Sequence, residues 1–274
     1  RWLASLLATE DAPAGPDAPT FDALVQAFST SPPRAIAVDE CERLFLRCVD
    51  GFRVVDRFLD LVTLTDHNVL WVLSFDRLAW LLLYRVRERR GYFLETIRLK
   101  SWTDAELRAL VEARNEATGV HPLFDRLNTR GDEAYNYEVV RTSAGYYRLL
   151  TEIASGNPRV AQHLWLESVA RDVDGRVHVA LFERPSDHVL KTLDDEQLFA
   201  LTSLVQHNGL STVEIATTIN ADPMACEVYV NHLHEVGILE PCVSSDAPRR
   251  YRVSVSFYHA TLARLRAVNL LHLR

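Results

Sequence analysis

The order of apolar and polar runs predicts alternating strands and helices in the first part of the chain. Short uninterrupted apolar runs are typical of strands buried in a parallel sheet, whereas apolar positions three or four apart indicate helices. Strand-like runs cover residues 34–38, 69–73 and 93–99. The helices are predicted over residues 1–8, 21–28, 52–61 and 78–88, with another opening at residue 39. This alternation is typical of an α/β fold with a parallel sheet.

The pattern changes at residue 101, where helices follow one another. Thr103 and Glu106 have the spacing of a capping box at the start of a helix, and Gly119 is a residue that ends helices. The predicted helices cover residues 103–118, 143–154 and 158–172, and residues 176–183 alternate like an edge strand. Residues 101–185 are therefore predicted to form a helical lid subdomain.

A third pattern covers residues 186–256. Three helices are predicted over residues 194–206, 212–220 and 222–236, followed by strand-like runs at 238–243 and 251–255. Three helices followed by a hairpin are typical of a winged-helix domain. Residues 257–274 are predicted to form a C-terminal amphipathic helix.

Polar side chains follow the first two predicted strands. Asp39 and Glu40 come directly after the first strand, and Ser74 and Asp76 follow the second. Ligands of open α/β sheets bind at the carboxyl ends of the strands. There, Asp39 could hold a magnesium ion, Glu40 could polarise a water for in-line attack on a phosphate, and Ser74 could reach that phosphate or its water.

Helix and strand capping is the alternative for the same side chains. Asp39 could cap the following helix with Glu42 completing a capping box, and Ser74 or Asp76 could cap the end of the second strand.

Arginines supply the candidate phosphate contacts. Pro158 suits the first turn of a helix and places Arg159 near its start, where a guanidinium could bind phosphate. The alternative is an ordinary surface arginine. The basic run Arg85, Arg87, Arg89 and Arg90 ends another predicted helix. Arg89 or Arg90 could serve as an arginine finger on a neighbouring subunit, or the run could complement the helix dipole.

Three segments, AIAVDECERLF (35–45), LWVLSFD (70–76) and SGNPRVAQHLWL (155–166), occur in an order that resembles AAA+ ATPases. The resemblance is strongest to the initiator-type branch of origin-recognition and loader proteins and to related signalling ATPases. It implies a Walker B segment with Asp39 on magnesium and Glu40 on water, a sensor-1 strand carrying Ser74 and Asp76, and Arg159 as the sensor-2 arginine. It also implies ATP and Mg²⁺ as ligands, homo-oligomers, and residues 1–100 as part of the nucleotide-binding core.

The phosphate-binding loop of such ATPases is missing from the sequence. That loop needs a lysine after a glycine, in the pattern G-x-x-x-x-G-K-[ST]. The 30 basic residues include two lysines, Lys100 and Lys191, and each follows a leucine. We therefore expect the loop to lie outside this sequence. The alternative is a catalytically degenerate, winged-helix regulator or scaffold.

The charge balance argues against DNA as the main partner. The chain has a net charge of −7, and residues 187–256 carry ten acidic and four basic residues. The candidate recognition helix, residues 222–236, has three acids and neither lysine nor arginine, whereas a helix that reads a major groove brings basic side chains. We expect a protein partner or autoinhibitory packing for this domain, with DNA disfavoured.

Cysteine and hydropathy patterns indicate a cytoplasmic protein. The four cysteines lack the paired spacing of zinc knuckles and are expected to be reduced. The longest apolar stretch, 69–84, is interrupted by Asp76 and Arg77, so a membrane contact would require a segment outside this chain.

Overall fold

The computed structural model describes residues 20–87, 93–127, 140–182, 188–242 and 248–271. Its hydrophobic clusters define three units, which we call the N-terminal, middle and C-terminal units. The helix predicted over residues 1–8 lies outside the described residues. No helix within the described ranges is long and apolar enough to cross a membrane. All four cysteines are free thiols.

The N-terminal unit contains a two-stranded parallel sheet. Its elements are α1 (Phe21–Thr30), β1 (Arg34–Val38), a 3₁₀ turn (Cys41–Leu44), α2 (Arg53–Thr65), β2 (Val69–Leu73) and α3 (Arg77–Arg87). Both strands have the predicted bounds, and their register places Val38 opposite Leu73. The Trp71 ring packs edge to face against Phe28 of α1 and Phe58 of α2, so these helices cover one face of the sheet.

The second face of this sheet is exposed, contrary to the prediction of fully buried strands. Ala35 and Ala37 lie on it beside Leu70 and Val72, which are 63% and 54% exposed. Among the described residues, the helices lie against the other face, so these apolar side chains remain in contact with solvent.

The prediction of a third strand over residues 93–99 is wrong. This segment has no regular structure, and Leu94, Ile97 and Leu99 are exposed. Phe93 packs on the N-terminal unit, but no strand within the described residues pairs with this segment, so strand propensity alone does not produce a strand.

The middle unit combines helices with a small mixed sheet, in which the strand predicted over residues 176–183 is present as Val177–Ala180 and the other two strands were not predicted. Its elements are α4 (Asp104–Thr118), β3 (Leu123–Arg126), α5 (Ser143–Ala154), α6 (Pro158–Ser168), β4 (Val169–Arg171) and β5 (Val177–Ala180). Strand β5 lies between β3, which is parallel to it, and antiparallel β4. The predicted capping box of Thr103 and Glu106 is present, and Gly119 ends α4 in the left-handed conformation.

The C-terminal unit contains the three predicted helices and a three-stranded antiparallel sheet. Its elements are α7 (His188–Lys191), α8 (Asp195–His207), β6 (Leu210–Ser211), α9 (Thr212–Ile219), α10 (Pro223–Glu235), β7 (Leu239–Pro241), β8 (Arg250–Val253) and α11 (Val255–Ala267). Strand β8 lies between β6 and β7. The sequence predicted the β7–β8 hairpin and missed the two-residue β6.

The N-terminal unit packs directly on the C-terminal unit. Leu78 of α3 belongs to the hydrophobic cluster of the C-terminal unit. The rings of Phe45 and His207 lie 5.3 Å apart, and the Arg47 backbone N–H donates to His207 Nε2 over 3.3 Å. Burial lowers the pKa of His207 to about 4, with the nearby Arg47 and Arg250 charges acting in the same direction. His207 is therefore neutral at this joint around pH 7.

A histidine that bonds to two aspartates stabilises the sheet of the middle unit. His178 of β5 lies 3.0 Å through Nε2 from Asp172 Oδ2 and 2.9 Å through Nδ1 from both carboxylate oxygens of Asp125 on β3. Both ring nitrogens can donate only when the imidazole is protonated. The hydrogen bonds to Asp172 and then Asp125 raise the pKa of His178, and the bonds to His178 lower the pKa of both carboxyls.

This arrangement predicts a stability that falls as pH rises through the raised pKa of His178. Because the folded pKa of His178 exceeds the unfolded value of about 6.5, its contribution is complete below that pH and disappears as pH rises through the folded pKa. Urea unfolding between pH 6 and 9 should show this loss in the wild type. The His178→Asn variant should be less stable at pH 6 and show a flatter profile. His121→Asn, at an exposed position, is the control, and parallel profiles for wild type and His178→Asn would contradict the assignment.

Candidate functional site: a strand edge and an adjoining cleft

The parallel sheet brings Asp39 and Ser74 into contact at the carboxyl ends of β1 and β2. The Ser74 hydroxyl donates to Asp39 Oδ1, and the Glu40 backbone N–H donates to the same oxygen over 2.9 Å. These bonds, that of Ser74 first, lower the pKa of Asp39. The strand edge therefore presents an ionised carboxylate beside a hydroxyl oxygen.

The Glu40 carboxylate turns toward a neighbouring arginine. Glu40 has left-handed backbone geometry, with φ of 54°. Its Oε2 lies 2.9 Å from Arg43 Nη2, and both side chains are about half exposed. The proposed contact of Glu40 with an attacking water stays a prediction.

Glu42 forms a buried hydrogen bond, whereas the sequence suggested a place for it in a helix capping box. Its side chain is almost fully buried, and its Oε2 accepts the Asp76 backbone N–H over 3.1 Å. Burial is the largest influence on its carboxyl and raises its pKa, while a hydrogen bond with the Asn208 side chain opposes that shift. The capping-box alternative for Asp39 and Glu42 is wrong, because the residues after Asp39 form a 3₁₀ turn with no side-chain cap.

Asp76 caps α3. Its Oδ1 accepts the Leu78 backbone N–H over 2.7 Å, as in an N-cap. Burial raises the pKa of this carboxyl. Asp76 therefore caps the start of this helix rather than the end of β2, and its catalytic role stays a prediction.

A tight turn sets the position of Arg159 at the start of α6. Ser155 and Gly156 are both left-handed, with φ of 50° and 71°. The Asn157 side chain then accepts the Arg159 backbone N–H over 2.9 Å, and Pro158 occupies the first turn. The predicted helix start is confirmed.

Asp76 and Arg159 line one cleft at the meeting point of the three units. The cleft has a volume of about 160 Å³, and Asn157, Asn208, Arg252 and Tyr258 also line it. The residues of the strand edge, Asp39, Glu40 and Ser74, are not among those that line it. Ligand sites usually measure 300–1,000 Å³. A nucleoside triphosphate therefore requires this cleft to open.

The basic run at the end of α3 is only partly described. Arg87 Nη2 lies 3.2 Å from Asp56 Oδ2, and its guanidinium stacks 4.9 Å from the centre of the Phe52 ring. Arg87 thus holds α3 against α2. Arg89 and Arg90, the candidate fingers, lie outside the described residues.

The strand edge suits magnesium better than metals that need a full protein ligand set. Within the described ranges, no group of three or more His, Cys, Asp or Glu side chains could hold a metal ion. Magnesium is usually bound through one or two carboxylates together with waters and substrate phosphates. Asp39 with the Ser74 hydroxyl fits that donor set.

Comparisons with known proteins give only distant matches. No protein-family model and no curated protein matches the chain. The Aeropyrum pernix ORC2 protein, in its ADPNP–ADP complexes, is 13% identical, with 92% of this chain and 71% of that chain covered and a TM-score of 0.42. The A. pernix ORC1 protein in complex with DNA is 17% identical, with 98% and 75% covered and a TM-score of 0.36. Cdc6p from Pyrobaculum aerophilum is 15% identical, with 95% and 74% covered and a TM-score of 0.35. Likeness with TM-scores below 0.5 establishes neither fold nor function.

The turn before Arg159 predicts a strong requirement for Gly156. An alanine Cβ there would lie 2.6 Å from the Trp102 carbonyl oxygen, in a backbone conformation that already disfavours side chains. We expect Gly156→Ala to lower the free energy of unfolding by roughly 2–4 kcal/mol. Gly119→Ala is the matched control, because Gly119 is also left-handed and has open space around it. It should lose only roughly 1–2 kcal/mol. Equal losses in urea unfolding would contradict the steric argument.

Proposed function

We propose that the chain carries part of an ATP-dependent switch or motor of the AAA+ kind. The observation that carries this proposal is the pairing of Asp39 with Ser74 at the carboxyl edge of two parallel strands, next to a cleft that contains Arg159. Carboxylate and hydroxyl oxygens suit Mg²⁺, and a guanidinium suits phosphate. We propose residues 1–100 as the partial nucleotide core, 101–185 as the lid and 186–256 as a winged-helix domain followed by a C-terminal helix.

Each side chain has a distinct task in this proposal. Asp39 and Ser74 would hold Mg²⁺, which supplies charge neutralisation for the ATP phosphates when bound. Glu40 would turn from Arg43 toward an attacking water. Breaking their ion pair costs little, because exposed ion pairs contribute only about 0–1 kcal/mol. Arg159 would bind the phosphates and so report their presence to the middle unit.

The proposal requires a phosphate-binding loop, because neither Lys100 nor Lys191 has the necessary glycine before it. We propose that this loop lies outside the present sequence and that neighbouring subunits complete the site. A basic side chain from one subunit could then act on the nucleotide of the next.

A catalytically degenerate regulator is the second candidate. It is favoured by the small volume of the cleft and by the ion pair that Arg159 makes with Glu240 over 3.3 Å. In this case the same fold would act as a scaffold without hydrolysis. The discriminating result is ATP turnover by the full protein.

The two carboxylates after β1 predict different defects. In the full protein, Asp39→Asn should weaken Mg²⁺-dependent ATP binding at least tenfold, because the ion loses its carboxylate. Glu40→Gln should bind ATP normally and lose hydrolysis by about 10²–10⁴-fold, as expected for a residue that activates water. Calorimetry and phosphate release measure these effects, with Asp60→Asn at an exposed position of α2 as the control. Turnover by Glu40→Gln at the wild-type rate would refute its role, and absence of ATP binding by the wild type would favour the regulator.

We further propose that the C-terminal unit binds protein in preference to DNA. Helix α10 exposes Met224 and Val228, at 77% and 66%, with exposed Glu227 and Glu235 on the same helix. Its sequence contains neither lysine nor arginine. An apolar, acidic helix surface suits a protein better than a polyanion.

A mobility-shift titration tests this preference. With a random-sequence DNA duplex at 50 and 200 mM salt, the full protein should show weak binding. The Glu227→Lys variant should bind more tightly at 50 mM salt, because it removes repulsion from phosphates and adds a basic contact. Tight wild-type binding with a steep loss between the two salt concentrations would contradict the proposal.

A further inference from the structure

We propose that Glu240 acts as an internal substitute for a nucleotide phosphate group, holding Arg159 until phosphate replaces it, and that Arg252 is a second phosphate-binding arginine supplied by the C-terminal unit. This inference rests on the proposed function and specifies how the same cleft is regulated.

One carboxylate oxygen joins the two arginines. Glu240 Oε1 accepts from Arg252 Nε over 2.7 Å and from Arg159 Nη2 over 3.3 Å. Glu240 and Arg252 are opposite each other on β7 and β8, whereas Arg159 comes from α6 of the middle unit. The carboxylate therefore connects two units through a single atom.

The two guanidiniums belong to the same cleft. Arg159 and Arg252 both line it, together with the amide side chains of Asn157 and Asn208. Guanidiniums that converge on one oxygen anion, with amides beside them, form the donor set that recognises phosphate. As long as the cleft is too small for a nucleotide, the Glu240 carboxylate accepts hydrogen bonds from both guanidiniums.

The two ion pairs of Glu240 differ in the elements they connect and in their exposure to solvent. The Glu240–Arg252 contact is a cross-strand pair inside one hairpin, and both side chains are about 70% covered. The Arg159 side chain is 52% exposed, so its contact with Glu240 is the more accessible to an incoming anion. Asp76 also lines the cleft, and burial raises the pKa of its carboxyl.

Replacement of Glu240 by phosphate would couple nucleotide binding to the C-terminal unit. When Arg159 turns to phosphate, the ion pair between the middle and C-terminal units is lost. A ligand that breaks a contact binds less tightly by the free energy of that contact. An exposed ion pair contributes about 0–1 kcal/mol, which corresponds to at most about a fivefold change in affinity.

Nucleotide titrations of the full protein test the competition. Glu240→Gln should bind ATP with Mg²⁺ about two- to fivefold more tightly than the wild type. Asp195→Asn, which removes one exposed acid of α8 in the same unit, should leave the affinity unchanged. The double variant Glu240→Gln/Arg252→Gln should bind more weakly than Glu240→Gln, because it lacks the second phosphate-binding arginine. Equal affinity of these two variants would refute the role of Arg252.

Hydrogen–deuterium exchange without nucleotide tests the contact itself. Peptides that cover residues 155–168 should exchange faster in Glu240→Gln than in the wild type and in Asp195→Asn. Faster exchange together with tighter binding supports the proposal, and unchanged exchange with unchanged affinity overturns it. Faster exchange in a protein that binds no ATP in any variant would instead contradict the proposed function and, with it, the replacement of Glu240 by phosphate.

Discussion

The parallel register of β1 and β2 is the constraint on which the candidate site depends. Because Val38 lies opposite Leu73, the next residues of both strands emerge at one edge, and Asp39 bonds to Ser74 there. The chain then continues from both strands into the same region, where Glu42 accepts the amide of Asp76. A shift by one residue would reverse the faces of the side chains and separate these groups.

Polar groups that are buried where two units meet each need a hydrogen-bond partner. His207 is nearly inaccessible to solvent and accepts the Arg47 backbone N–H, and the buried Glu42 carboxyl forms a hydrogen bond with the Asn208 side chain of the C-terminal unit. A buried polar group that loses its partner costs about 1–3 kcal/mol. The N-terminal unit is therefore fixed on the C-terminal unit by specific bonds as well as by the packing of Leu78. The surface contact of Arg159 is of a different kind, since solvent can replace it.

Much of the fold could be predicted from local sequence, and the failures have physical causes. Apolar runs at residues 34–38 and 69–73 gave the correct strands, and residues 143–154 gave the correct helix. Strands β4 and β6 were missed because two or three residues carry no periodic signal. Residues 93–99 have strand-like composition without a partner. For the site, Asp39 and Ser74 could be selected because they follow predicted strands, and Arg159 because it lies at the start of a predicted helix. Glu240 could not, because it is 81 positions away from Arg159 in the chain.

Breaking the Arg159–Glu240 ion pair and moving the packed units relative to one another are motions on different timescales. Exposed side chains change rotamer within picoseconds to nanoseconds, whereas packed units move relative to one another in microseconds to milliseconds. Arg159 can therefore leave Glu240 many times before the units separate. On the slower timescale the Arg159–Glu240 ion pair therefore acts as an average over its formed and broken states.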